Sequence, residues 1–171
     1  MVGLGMDDRK TVAPIDQTYD RCRVVAMSDV GCVREENQDF MGQAVSGDLT
    51  LVIVCDGMGG HSGGYEASRL AVREICSFFQ EHSEDLSPCE LLGQAIQQAN
   101  KKVFETSESN PHLKGMGTTA VAMILKGDNG WFAHVGDSRA YLLRKGELSL
   151  LTLDHTAINR FVLRGHLHPD E

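Results

Sequence analysis

The stretch Leu51-Val52-Ile53-Val54-Cys55-Asp56-Gly57-Met58-Gly59-Gly60-His61-Ser62-Gly63-Gly64 joins an apolar run to an aspartate and then to a glycine-rich turn. An unbroken apolar run bounded by turn residues predicts a buried strand. That strand delivers Asp56 into a turn whose glycines tolerate backbone angles closed to other residues, and a helix is predicted beyond it.

Downstream, Ala67, Leu70, Ala71, Ile75, Phe78 and Phe79 recur at three- and four-residue spacing, which gives residues 64–81 one apolar helical face. Ser87-Pro88-Cys89-Glu90 then supplies a start signal: a hydroxyl at the N-cap, Pro at the first helical position and Glu three residues after the cap. The stripe Leu91, Leu92, Ala95, Ile96, Ala99 and Val103 continues that second helix. Strands are predicted at 23–28, 50–55, 118–125, 131–135, 139–143 and 148–152, where Val, Ile, Leu and aromatics lie between Gly, Asp and Asn. Residues 126–130 and 144–147 have hairpin-turn composition, so the second half is predicted to be an antiparallel meander. Strands, two helices and a meander make an α+β layered domain.

Composition limits the alternatives. The chain has 171 residues, 42% hydrophobic and 23% charged, with 18 Gly against 4 Pro, enough for one domain with a full core. Lys+Arg 16 against Asp+Glu 24 leaves a net charge of -8, which repels phosphate backbones and anionic lipid, so neither nucleic acid nor membrane is an expected partner. Cys22, Cys32, Cys55, Cys76 and Cys89 form no Cys-x-x-Cys pair and read as free thiols of a reducing cytoplasm. The longest apolar runs, 51–55 and 120–125, fall far short of the ~18 residues of a membrane span, and no export signal precedes Asp7 and Asp8. A soluble, cytoplasmic, monomeric protein is expected. Residues 1–20 lack periodicity and are expected to be a flexible N-terminal arm, with the domain over 21–171.

Two chemistries compete for the glycine-rich turn. A phosphate-cradling loop would end in Gly-Lys-Ser/Thr, which is missing, and a bare Asp56 would repel phosphate. A divalent cation bound to Asp56 removes that repulsion, since carboxylate oxygens suit Mg²⁺ or Mn²⁺. Asp at a strand end also turns chains or caps helices. Further aspartates occur in Ser28-Asp29-Val30-Gly31-Cys32-Val33-Arg34-Glu35-Glu36-Asn37-Gln38-Asp39 and in Gly136-Asp137-Ser138-Arg139. If they converge above one sheet edge, metal or protons must neutralise them. Arg34 is either a surface arginine or a bidentate phosphate ligand.

The segments Ser28-Asp29-Val30-Gly31 through Asn37-Gln38-Asp39, Asp56-Gly57-Met58-Gly59-Gly60-His61, Gly115-Met116-Gly117-Thr118-Thr119, Val135-Gly136-Asp137-Ser138-Arg139-Ala140-Tyr141 and Thr152-Leu153-Asp154-His155 occur in this order. Together they resemble the metal-dependent serine/threonine protein phosphatases, the type 2C or PPM family, in its bacterial form, from about Val24 onward. The resemblance implies a four-layer α-β-β-α sandwich, two antiparallel sheets flanked by helices, with a centre of two Mg²⁺ or Mn²⁺ ions at one end. It implies that Asp56 bridges both metals, that the Gly57 carbonyl binds one, that Asp39 assists through bound water, and that Arg34 holds the substrate phosphate. Asp137 is implied near the centre, at a third ion's site in bacterial members. The implied reaction is hydrolysis of phosphoserine or phosphothreonine in proteins that a Ser/Thr kinase has modified, by a metal-activated water attacking in line.

Three features depart from the family pattern. Gln38 stands where many members carry Glu, removing one charge from the outer shell of the metals. Met58 stands where animal relatives have a histidine proposed as general acid. His61 and His155 read as structural rather than as that acid. The family's later Asp-Gly segment and near-terminal Asp-Asn pair do not occur before Glu171, and 160–171 resembles the helical region after the Asp-His segment, so the C-terminal part of the domain is expected to be lacking. Two readings from other classes follow: a non-catalytic phosphoprotein-binding or regulatory module, and a nucleotide-binding glycine-loop protein, the latter disfavoured by the missing Lys.

Overall fold

In the computed structural model, residues 11–19, 22–156 and Asn159 are described. The elements are β1 (Thr11–Tyr19), β2 (Cys22–Asp29), β3 (Asp39–Ser46), β4 (Leu49–Met58), α1 (Gly60–His82), α2 (Pro88–Ser109), a short 3-10 turn at Pro111–Leu113, β5 (Gly117–Thr118), β6 (Ala120–Lys126), β7 (Asn129–Val135), β8 (Tyr141–Arg144) and β9 (Glu147–Leu150). The fold is α+β. An antiparallel sheet in the order β3-β4-β6-β7, with β5 paired to β4, carries α1 and α2 on one face; β1-β2 and β8-β9 form two further two-stranded sheets.

The apolar run at 51–55 is the middle strand pairing of this sheet, yet it is not buried on both faces. Leu51, Ile53 and Cys55 point into the core with Ala67, Ile75 and Phe79 of α1 and Leu91 and Ala95 of α2, while Val54, Asp56 and Met58 alternate onto the opposite, exposed face. Burial pushes the Cys55 thiol up to about 12 and that of Cys76 to about 11, which suits packing rather than reactivity. All five cysteines are free.

The capping box is present as read: Ser87 Oγ accepts from Glu90 N at 3.5 Å and Glu90 Oε2 accepts from Ser87 N at 3.1 Å. Helix α1, by contrast, begins at Gly60, four residues before the apolar stripe predicts, with Gly59 at its N-cap in a left-handed conformation (φ 121°). Asp56 therefore does not cap that helix.

Three expectations need correction. Residues 11–19 lie in the stretch read as an arm, yet they form β1 and pair with β2; an irregularity between Val12 and Ile15 accommodates Pro14, which has no N–H to donate. Arg23 donates Nε and a terminal N–H to the Asp16 carboxylate at 2.8 and 2.7 Å across this ribbon. Strand β3 was not expected at all, because Gly42, Gln43 and Ser46 blur its alternation. The predicted meander breaks after β7: Gly136 (φ 99°) turns the chain out of the sheet, and β8 pairs with β9 instead. The helical region read at 160–171 and residues 1–10 fall outside the described residues. No described helix is long and apolar enough to cross a membrane.

Candidate metal centre

Strand pairing, rather than loop convergence, brings the first two aspartates together. Asp39 opens β3 and lies directly opposite Asp56 on β4. The approach to Asp39 is fixed by Asn37, which is 3% exposed: its Nδ2 donates to Ser28 Oγ at 2.8 Å and its Oδ1 accepts from Asp39 N at 3.0 Å. The end of β2 is thereby tied to the start of β3. Beside it the Gln38 carbonyl accepts from Gly57 N at 3.1 Å, while the Gln38 side chain donates Nε2 to the Gly60 carbonyl at 2.8 Å.

Glycine at position 57 is required by a close approach. A Cβ there would stand 1.9 Å from the Gly64 carbonyl oxygen, so the N-terminal part of α1 rests directly on the backbone of β4. On the other side, Asp56 is held by Thr119, whose N–H donates to the Asp56 carbonyl at 2.8 Å and whose Oγ1 accepts from Asp56 N at 3.0 Å.

The electrostatics follow from this geometry. The Asp56 carboxyl is held above the usual carboxylate range, first because neighbouring groups screen it partly from water even though the residue as a whole is exposed. The Asp39 carboxylate then repels its charge and hydrogen-bonds to it, and Asp137 adds a smaller repulsion; Arg34 acts in the opposite sense. Arg34 is itself exposed and, with Asp29, Cys32 and Asp39, lines an open cleft of about 270 Å³.

Asp137 reaches the site from a different part of the fold. Its loop is held by Ser138 Oγ, 2.7 Å from Thr119 Oγ1, and by Arg139, which forks onto the Asp154 carboxylate at 3.0 and 2.5 Å. That pair holds Asp154 below the usual carboxylate range and raises Arg139. His155 donates its N–H to the Gly136 carbonyl at 3.0 Å, accepts from Gly136 N through Nδ1 at 3.3 Å and stacks on His134 with centroids 4.6 Å apart. His155 is therefore a loop anchor. Met58 is exposed, and the His61 side chain falls outside what is described.

Among the described residues, no set of three or more His, Cys, Asp and Glu side chains comes together as a group that could hold a metal ion. What the fold builds is a carboxylate pair, Asp39 and Asp56, with Asp137 near enough to act on the charge of Asp56. The donors fit a hard divalent cation in kind: they are oxygens, and a cation between them would remove the repulsion that raises Asp56.

The model of the family Protein phosphatase 2C matches residues 33–161, which include Arg34, Asp39, Asp56 and Asp137. The chain belongs to the protein phosphatase 2C family. It is 37% identical over 153 residues to the serine/threonine protein phosphatase PstP of Mycobacterium tuberculosis, covering 87% of this chain and 28% of that protein. It is also similar to the S. agalactiae serine/threonine phosphatase structure, with TM-score 0.73, 40% identity and coverage of 84% of this chain and 60% of the other. The PstP catalytic domain in complex with 2 manganese ions superposes with TM-score 0.66 at 35% identity, again over 84% of this chain and 60% of that one. The chain thus spans between about a quarter and three fifths of the length of these phosphatase 2C relatives.

Within this phosphatase 2C scaffold, the residues singled out in the sequence divide into two groups. Asp39, Asp56, Gly57 and Gln38 share the β3-β4 end, and Arg34 lies on the cleft beside them. Asp137 comes from beyond β7. Sequence reasoning missed Asn37 and Thr119 as supports, although both stand inside segments already quoted, because a side chain that hydrogen-bonds a distant backbone leaves no periodic signal.

Proposed function

We propose that this chain carries a metal-dependent protein serine/threonine phosphatase site that hydrolyses phosphoserine and phosphothreonine. The observation that supports it best is the direct cross-strand pairing of Asp39 with Asp56, with Arg34 on the adjoining cleft. Asp56, Asp39 and the Gly57 carbonyl would hold two Mg²⁺ or Mn²⁺ ions, and Asp137 would serve a third. When bound, such ions supply an activated water and offset the charge on the phosphoryl oxygens. Arg34 binds the phosphate dianion through its guanidinium, and its exposure leaves it able to meet a substrate side chain at the surface. Gln38 braces the turn through Gly60 and Gly57 and contributes no charge.

The substrates in this reading are proteins phosphorylated by a Ser/Thr kinase, met in the cytoplasm by a monomer. Residues 21–171 form the phosphatase domain in this reading, and β1 joins it by pairing with β2. The test is phosphate release from a phosphothreonine peptide with Mn²⁺. Asp56→Ala and chelation of the metal are each expected to lower it by a factor of about 10² or more. Equal release by wild type and Asp56→Ala overturns the assignment. A phosphoprotein-binding module without turnover is favoured by one observation: among the described residues, no three His, Cys, Asp or Glu side chains come together as a group. Mn²⁺ titration separates the two, since that module has no tight metal pair.

A further inference from the structure

We infer that Thr119 is a positioning residue that registers the Asp137 loop against Asp56, an inference resting on the metal-centre reading above. Four contacts converge on this one side chain and its amide. Its N–H donates to the Asp56 carbonyl at 2.8 Å, and its Oγ1 accepts from Asp56 N at 3.0 Å. Thr119 lies between β5 and β6, where the β4 ladder changes partner: Gly57 pairs with Thr118 and Val54 with Val121. At that break the hydroxyl takes the place of the strand carbonyl that would otherwise receive the Asp56 amide. The same oxygen is 2.7 Å from Ser138 Oγ, the residue after Asp137.

The methyl group completes the seat. A Cβ on Gly136 would stand 2.6 Å from Thr119 Cγ2, so the glycine before Asp137 packs against Thr119 in a left-handed conformation (φ 99°). One oxygen thus joins the backbone of Asp56 to the hydroxyl of Ser138, and the methyl group lies against the turn at Gly136 without setting the link. Asp56 lies on β4 and Asp137 on the connection after β7, far apart in sequence, and this link sets their separation. Groups that orient metal ligands in this way typically change metal affinity 10–100-fold when removed.

The experiment is Mn²⁺ titration by calorimetry on the full chain, with phosphopeptide turnover read in parallel. Thr119→Val keeps the shape and removes the hydroxyl; its Mn²⁺ dissociation constant is expected to rise about tenfold or more. Thr119→Ser restores the hydroxyl and is expected within about twofold of wild type, a rescue that a purely space-filling role would not give. Ser138→Ala removes only the far partner and is expected to weaken Mn²⁺ about threefold, the equivalent of one net hydrogen bond; it carries the test if Thr119→Val does not fold. Wild-type affinity in Thr119→Val or in Ser138→Ala, or a Thr119→Ser as weak as the valine variant, overturns this inference while leaving the metal centre standing. A wild type that binds no Mn²⁺ overturns the metal-centre reading and this inference with it.

Discussion

The sheet β3-β4-β6-β7 and the hairpin β8-β9 are made of similar residues: Leu51, Ile53 and Ile124 in one, Leu142, Leu143, Leu148 and Leu150 in the other. On β4 and β6, alternate side chains enter a core shared with α1 and α2, and Leu51 and Ile53 keep 1% and 2% of their exposure. In the hairpin, Leu143 and Leu148 remain 69% and 66% exposed. Apolar residues between turn signals make a strand in either setting, but only a covering layer turns the strand into core. The candidate centre draws on both regions. Asp39 and Asp56 sit on the covered sheet, whereas Asp137 arrives on the connection toward the hairpin and depends on Thr119, Ser138 and the Arg139–Asp154 fork for its place.

The largest effect that would break this comparison lies in the core. Phe79 is 1% exposed at the heart of the helix-covered layer, and Phe79→Ala is expected to cost about 3–5 kcal/mol in urea unfolding. A loss below about 1 kcal/mol would mean that the helices do not cover the sheet as described. A smaller effect is expected where the sheet meets the site. Gly57→Ala forces a methyl group to 1.9 Å from the Gly64 carbonyl, so α1 must move off β4; a cost of about 1–3 kcal/mol is expected, with loss of Mn²⁺ affinity because the Gly57 carbonyl shifts. Unchanged stability and affinity would show that the close approach is not needed.

How legible each region was follows from what its residues do. The run at 51–55, the two apolar helix stripes and the Ser87–Glu90 capping box rest on local chemistry, and the structure keeps them. Strand β3 was hidden because Gly42 breaks its pattern for a reason outside the strand: a Cβ there would meet Val72 Cγ1 of α1 at 2.4 Å. The early start of α1 was hidden because Gly60, Gly63 and Gly64 are poor helix formers, used here for close packing and for φ 79° at Gly60. At the site, acidic residues next to glycine drew the eye to Asp39, Asp56 and Asp137, but not their adjacency, which depends on the register Asp39 opposite Asp56. Asn37 and Thr119 act through single hydrogen bonds to remote partners, and such bonds have no signature in spacing.

The smallest expected effect sharpens the comparison most. Leu148 lies on β9 opposite Leu143, and both are largely exposed. Truncating an exposed leucine removes few contacts and opens no cavity, so Leu148→Ala is expected to change stability by no more than about 0.5 kcal/mol in the urea experiment used for Phe79→Ala. The same deletion in a packed layer costs about 2–5 kcal/mol. A loss of that size at Leu148 would therefore show that the hairpin leucines are covered in solution, and the contrast between the two regions would vanish. A loss near zero, beside a large one at Phe79, would place the stability of the chain in the layer that holds Asp39 and Asp56 and leave Asp137 on the side that can shift without unfolding it.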